Sequence, residues 1–202
     1  MSSSFDISKF MTKINAKPDS RLTHIIKAAH FHKLSDDEIT KAVKHILEKA
    51  ESKPSDESNP ESKPKSKPSG ERLQKAACFG YLKLAKLLIE KGVNVNTRDK
   101  NRNTPLINAC HTKHFEIARF LIESGAFVSA RNHFSWSALK YTCLNNNKDF
   151  VKYLIEHDAN TDIITIDDKK NIINKLVSKD ANKYADMIEY LKKVRDTLGK
   201  KE

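Results

Sequence analysis

The sequence predicts an all-α fold, a short helical solenoid of about five helix pairs with atypical end units. Three observations predict it. Only five Gly and six Pro occur in 202 residues, too few for a loop-rich β-protein. A hydrophobic fraction of 38% beside a charged fraction of 31% suits a thin, elongated array whose every unit lies close to solvent. The third is self-similarity at a fixed spacing of 33 residues between positions 71 and 163.

The repeated columns are specific. Leu73, Leu106 and Leu139 stand 33 apart, as do Leu88, Leu121 and Leu154, then Ile89, Ile122 and Ile155, then Glu90, Glu123 and Glu156. Other columns keep their chemical type: Leu84, Ile117 and Phe150; Ala85, Ala118 and Val151; Ala76, Ala109 and Thr142. Gly92 and Gly125 share a column whose third member is Asp158.

From the N-terminus, residues 1–20 read as a tail. Met1 to Ser20 holds no apolar run long enough for a signal peptide or a membrane helix. Residues 21–51 read as a degenerate helix pair. Ile25, Ile26, Ala28 and Ala29 supply an inner helix, and Ser35-Asp36-Asp37-Glu38 offers a capping box. Ile39, Val43, Ile46 and Leu47 then follow at helical spacing. Ala29 to Leu47 spans 18 residues against 11 from Ala77 to Leu88, which predicts an inter-helix loop about seven residues longer.

Residues 52–70 hold four of the six prolines, many serines and few apolar groups, a composition that cannot bury enough surface to fold. Leu47 to Leu73 is 26 residues, against 18 between Leu88 and Leu106. The segment therefore reads as an enlarged loop between stacked units, with a tether between independent domains as the alternative.

Within 71–163 each unit has the same plan. In the middle copy Thr104 caps an inner helix and Pro105 occupies its first turn. The small residues Ala109 and Cys110 let a neighbouring helix approach. Ile117, Ala118, Leu121 and Ile122 form the apolar stripe of an outer helix, which Gly125 ends in the left-handed conformation. No copy can bury that stripe alone, so stacking is required.

These residues resemble three ankyrin repeats, 71–98, 99–131 and 132–163. The middle copy is closest, with Asp99, Thr104-Pro105-Leu106, Ala109, Ile117-Ala118, Leu121-Ile122 and Gly125-Ala126. The first copy lacks the Thr-Pro opening; the third has Ser137-Ala138-Leu139 and places Asp158 where Gly is usual. Arg102 stands where the family favours Gly, which predicts a strained turn. Residues 164–202 read as a C-terminal capping pair: Ile172, Ile173 and Leu176 precede Ala185, Ile188 and Leu191. Ile188 to Leu191 echoes Val151 to Leu154 at a spacing of 37.

The resemblance implies a non-enzymatic protein-binding module, expected as a cytoplasmic monomer without cofactors. Arrays of this kind bind through their finger turns and the inner-helix face. Those positions here are Arg98, Lys100, Arg102, Arg131, His133, Phe134, Trp136, Lys140 and Tyr141. Phe134 and Trp136 occupy turn positions held by Asn101 and Asn103 one repeat earlier. Apolar groups on a turn are costly unless covered, and Trp, Tyr and Arg are favoured interface anchors. Either a partner covers them, or they fold back onto a neighbouring finger or the C-terminal unit. The mixture of cations and aromatics predicts a protein partner with an acidic, partly apolar surface. Asn96 lies in the turn where such repeats can be substrates for asparagine hydroxylation. A Lys- and Asn-rich chain of this type also resembles ankyrin-type effectors that intracellular bacteria deliver into host cytoplasm, and a protist or viral origin fits it equally.

Other function classes fit less well. The net charge of +11 could serve nucleic acid, but it is spread along the chain without a dense basic run, and Lys outnumbers Arg. Three Cys do not suggest a disulfide framework and point to a reducing compartment. Cys110 and Cys143 share the column of Ala77 and read as small packing residues. His24, His30 and His32, and likewise His111 and His114, lack partners at zinc-like spacing; His114 reads as a local turn contact. Asp36-Asp37 and Asp167-Asp168 lie near helix starts, where negative charge is favourable. No Gly-rich phosphate loop or nucleophile elbow occurs.

Overall fold

The architecture comes from a computed structural model that describes residues 18–31, 33–51, 70–165 and 171–198. Most of the expected N-terminal tail, nearly all of the Pro/Ser/Lys-rich segment and the Asp167-Asp168 pair lie outside these residues. The helices run α1 Pro18–Phe31, α2 Asp36–Glu51, α3 Gly70–Phe79, α4 Leu82–Glu90, α5 Pro105–His111 and α6 Phe115–Glu123. They continue with α7 Ala138–Leu144, α8 Lys148–Glu156, the single-turn α9 Asp162–Thr165, α10 Ile172–Asp180 and α11 Ala185–Leu198.

Five hairpins stack in two rows. The inner row is α1, α3, α5, α7 and α10, and the outer row α2, α4, α6, α8 and α11, each helix packing on its partner and on neighbours in its row. The solenoid is all-α, as the 33-residue period predicts. The outer-row stripe is buried: Leu84, Ala85 and Leu88, then Ile117, Ala118 and Leu121, then Phe150, Val151 and Leu154. The inner row needs small residues at the same depth, and Ala77, Cys110 and Cys143 are all fully buried. Burial pushes the Cys110 and Cys143 thiols up to about 12, which leaves them as packing groups without thiolate character.

In the first pair, α1 and α2 have 14 and 16 residues and only four residues separate them. The extra length over a standard repeat goes mostly into helix, where the sequence spacing predicted loop. Long helices bury further turns, Ile25, Ile26 and Ala29 against Ile39, Val43 and Leu47, so the end unit has a core of its own.

The helix starts follow the sequence signals. Thr104 and Ser137 accept the N–H groups of Ile107 and Lys140, and Asn171 accepts that of Ile173. Ser35 and Glu38 form the predicted box, the Ser35 hydroxyl accepting the Glu38 N–H while Glu38 Oε2 accepts the Ser35 N–H at 2.9 Å. The stops obey one rule. The N–H groups of Val93, Ala126 and Ala159 return to the carbonyls of Leu88, Leu121 and Leu154, closing each outer helix through a left-handed residue at 92, 125 and 158. The same conformation recurs at the inner-to-outer turns, at Gly80, Lys113 and Asn146, again 33 apart.

Each inner helix in the repeats also has a carbonyl near its end satisfied from the next unit. The His114 ring bonds the Cys78 carbonyl. Asn145 Nδ2 donates to the Cys110 carbonyl at 2.7 Å, and the Tyr184 hydroxyl donates to that of Leu144 at 3.0 Å. The last turn of a helix leaves such acceptors free, and here the neighbour supplies the donor. His114 therefore acts between units, where the sequence suggested a contact within its own turn.

Candidate protein-binding interface

Two fingers connect the three repeats, and they are copies of one another in hydrogen bonding. The N–H of Asp99 bonds the Asn103 carbonyl, and the N–H of Asn132 bonds the Trp136 carbonyl, both at 3.0 Å. Asp99 Oδ1 accepts the N–H groups of Asn101 and Asn103; Asn132 Oδ1 accepts those of Phe134 and Trp136. An Asx side chain thus builds each fingertip from inside. Arg102 and Ser135 occupy equivalent tip positions with φ +59° and +57°, left-handed angles that favour Gly.

The fingers are tied together. Asn132 Nδ2 donates to Asn103 Oδ1 at 2.9 Å, and the His133 N–H to the Asn101 carbonyl at 3.0 Å. Arg98 Nη1 donates to the carbonyls of Arg102 and Arg131. Arg131 Nη2 bonds Asn160 Oδ1 at 2.9 Å and pairs with Asp162 at 3.0 Å. The forks of Arg98 and Arg131, expected to meet a partner, hold successive fingers in register. Lys100, Arg102 and His133 are exposed at the tips.

Behind the second finger the remaining residues converge. Trp136 packs against Tyr141, ring centroids 4.9 Å apart, and Tyr141 against His111 at 4.7 Å. The Lys140 ammonium lies 4.8 Å from the indole centroid and that of Lys175, from α10, 4.5 Å. Burial holds the Lys140 pKa below its ordinary value, helped by the charges of Lys175 and Arg131. Burial raises that of Tyr141, against a hydrogen bond with Asn132 and with help from Asp99. Trp136 does fold back, half-buried against Tyr141 and the C-terminal unit. Phe134 does not, and 69% of its surface stays exposed. The inner face continues toward the N-terminus as a polar ladder, where buried Gln74 donates to the Thr97 and Asn103 carbonyls and accepts from Asn108 at 2.6 Å.

Sequence reasoning missed Lys175 and His111. Counted from the helix N-caps Thr104, Ser137 and Asn171, residues Asn108, Tyr141 and Lys175 hold the same fourth position. The second interval, from Ser137 to Asn171, is 34 residues, so the 33-residue register passes Lys175 by. A separate groove of about 450 Å³ runs over the outer row between Phe115, Phe120, Phe150, Lys86, Arg119 and Glu123. It lies away from the finger cluster. Among the described residues no three His, Cys, Asp or Glu side chains converge as a metal site, and no helix is long and apolar enough to cross a membrane.

Comparison with known proteins agrees with this architecture. The family described as ankyrin repeats (3 copies) matches residues 25–132 and 73–167. Among solved structures, 394 chains match. One of them, the human ASB11 ankyrin repeat domain, is 35% identical over 44% of this chain and 40% of that one, with a TM-score of 0.42. The match thus spans well under half of that structure's length. No curated protein matches. The matched residues, the 33-residue period and the stacked hairpins agree: the chain belongs to the ankyrin-repeat family.

Proposed function

We propose that the chain is a non-enzymatic adaptor that binds a protein partner through its finger turns and inner-helix face. Ankyrin repeats are generally protein–protein interaction modules. The specific observation supporting this surface is Phe134, an aromatic side chain held on a braced fingertip with 69% of its surface exposed. A large apolar group on a preorganised turn costs little further ordering on binding and gains its burial. Beside it, Trp136 and Tyr141 add aromatic area, while Lys140 and Lys175 add positive charge.

The test is affinity capture with the full chain and its Phe134→Ala variant, with nuclease-treated and high-salt arms. A protein retained by the wild type and lost with the variant, at unchanged helicity and Tm, is the expected result. Equal capture by both proteins overturns the assignment of this face. Retention of nucleic acid alone, released by salt, replaces it with an electrostatic role for the +11 charge.

A further inference from the structure

The seat of Lys140 and Lys175 on one indole carries the reading of this face further, to the chemistry of the partner. Two ammonium groups sit 4.8 and 4.5 Å from the Trp136 centroid, although like charges repel. Neither has a carboxylate within ion-pair distance among the described residues. The nearby acid Asp162 is held by Arg131, and Asp99 faces inward to its own finger. The partly buried Lys140 is thus less well solvated than a free surface lysine and stands beside two other cations. An anion placed there gains from both lysines and relieves their repulsion.

We infer that this pair is the acid-recognising part of the interface and that the partner is a protein segment bearing clustered Glu or Asp side chains. Their carboxylates sit at the Lys140 and Lys175 ammonium groups, over the aromatic floor of Trp136 and Tyr141. The inference rests on the inner face being the partner surface. Two observations favour a peptide over nucleic acid. The Arg98 and Arg131 forks, the groups best suited to phosphate, are spent between fingers. The two ammonium groups on the indole form a compact pair, where a phosphate backbone needs an extended track.

Trp136 is the only tryptophan, so its fluorescence reports occupancy of this seat directly. The probe is an acetylated, amidated peptide of four Glu followed by Phe, titrated into the full chain, with binding also followed by calorimetry. Controls are the same peptide with Lys for Glu and a single-stranded oligonucleotide. The acidic peptide is expected to change Trp136 emission, and Lys140→Gln and Lys175→Gln each to weaken it about tenfold, the double variant more. The Lys-containing peptide is expected to leave emission unchanged.

Unchanged affinity in both variants, or a fluorescence response only to the oligonucleotide, overturns the inference. The underlying reading fails separately. If Phe134→Ala abolishes protein capture while the lysine variants capture normally, the face stands and only its acid preference is lost. If the lysine variants lose the peptide while Phe134→Ala captures normally, the acid seat stands and the fingertip assignment falls.

Discussion

The imidazole of His114 occupies the space that a side chain at Gly80 would need: a Cβ built there would lie 2.6 Å from His114 Cε1. The Gly80 φ of +87° adds a second demand, since L side chains avoid that region. Gly92 has φ +80° but nothing within 4 Å of such a Cβ. Gly92→Ala therefore measures backbone strain alone, about 1 kcal/mol, whereas Gly80→Ala adds displacement of a bonded ring and costs about 2 kcal/mol or more. Denaturant unfolding of the two variants checks the order; equal losses refute the steric part.

His114 also couples stability to pH. Burial holds its pKa below the ordinary His value of 6.5, as does the nearby His30, against the pull of its bond to the Cys78 carbonyl. The unfolded chain then takes up a proton at a higher pH than the folded chain. Stability present above pH 6.5 is lost as the pH falls through that value and levels off below the folded pKa. The fall in Tm between pH 7 and pH 5 is expected to be smaller in His114→Gln than in the wild type. Parallel curves would show that the ring titrates without consequence for folding.

The fingertips carry strain that substitution can release. Arg102 and Ser135 sit at φ +59° and +57° without the freedom of glycine. Arg102→Gly and Ser135→Gly are each expected to stabilise the chain by about 0.5–1 kcal/mol, the relief outweighing the entropy gained by the unfolded chain. Calorimetric Tm values decide this, and a lower Tm for both would show that these side chains contribute more than their backbones cost.

Asp36 does work outside its own helix. Its carboxylate accepts the N–H groups of Lys83 at 2.7 Å and Leu84 at 3.2 Å, at the start of α4, where Tyr81 provides no side-chain cap. Asp36→Ala is expected to cost about 1 kcal/mol, the usual value of an N-cap. Hydrogen exchange should quicken at the Lys83 and Leu84 amides. If only amides of α2 respond, the carboxylate serves its own helix, as its position in the sequence suggests.

The stack was legible because the repeat is long and its core columns tolerate only small or only large apolar groups. Thr104-Pro105 and Gly125 announce helix ends through local chemistry, which sequence carries directly. The bonds from His114 to Cys78 and from Asp36 to Lys83 were not legible, because they join units through residue types that also fit ordinary roles nearby. Lys113 and Asn146 hid the left-handed column that Gly80 begins, since neither advertises positive φ as glycine does. Of the expected site residues, Phe134, Trp136, Lys140 and Tyr141 gather around the second finger. Arg98 and Arg131 look like binding groups in sequence because charge is visible there and their partners in the fold, backbone carbonyls for Arg98 and the Asn160 and Asp162 side chains for Arg131, are not.

The donors that finish the inner helices follow their acceptors by about one unit: Asn145 trails Cys110 by 35 residues, and Tyr184 trails Leu144 by 40. A ribosome delivers the chain in that same direction, and at roughly 5–20 residues per second that interval lasts seconds. Each inner helix of the three repeats thus emerges with a carbonyl that only water can serve until its successor arrives. The newest hairpin is always the least finished one, and completion follows synthesis from one end of the stack to the other.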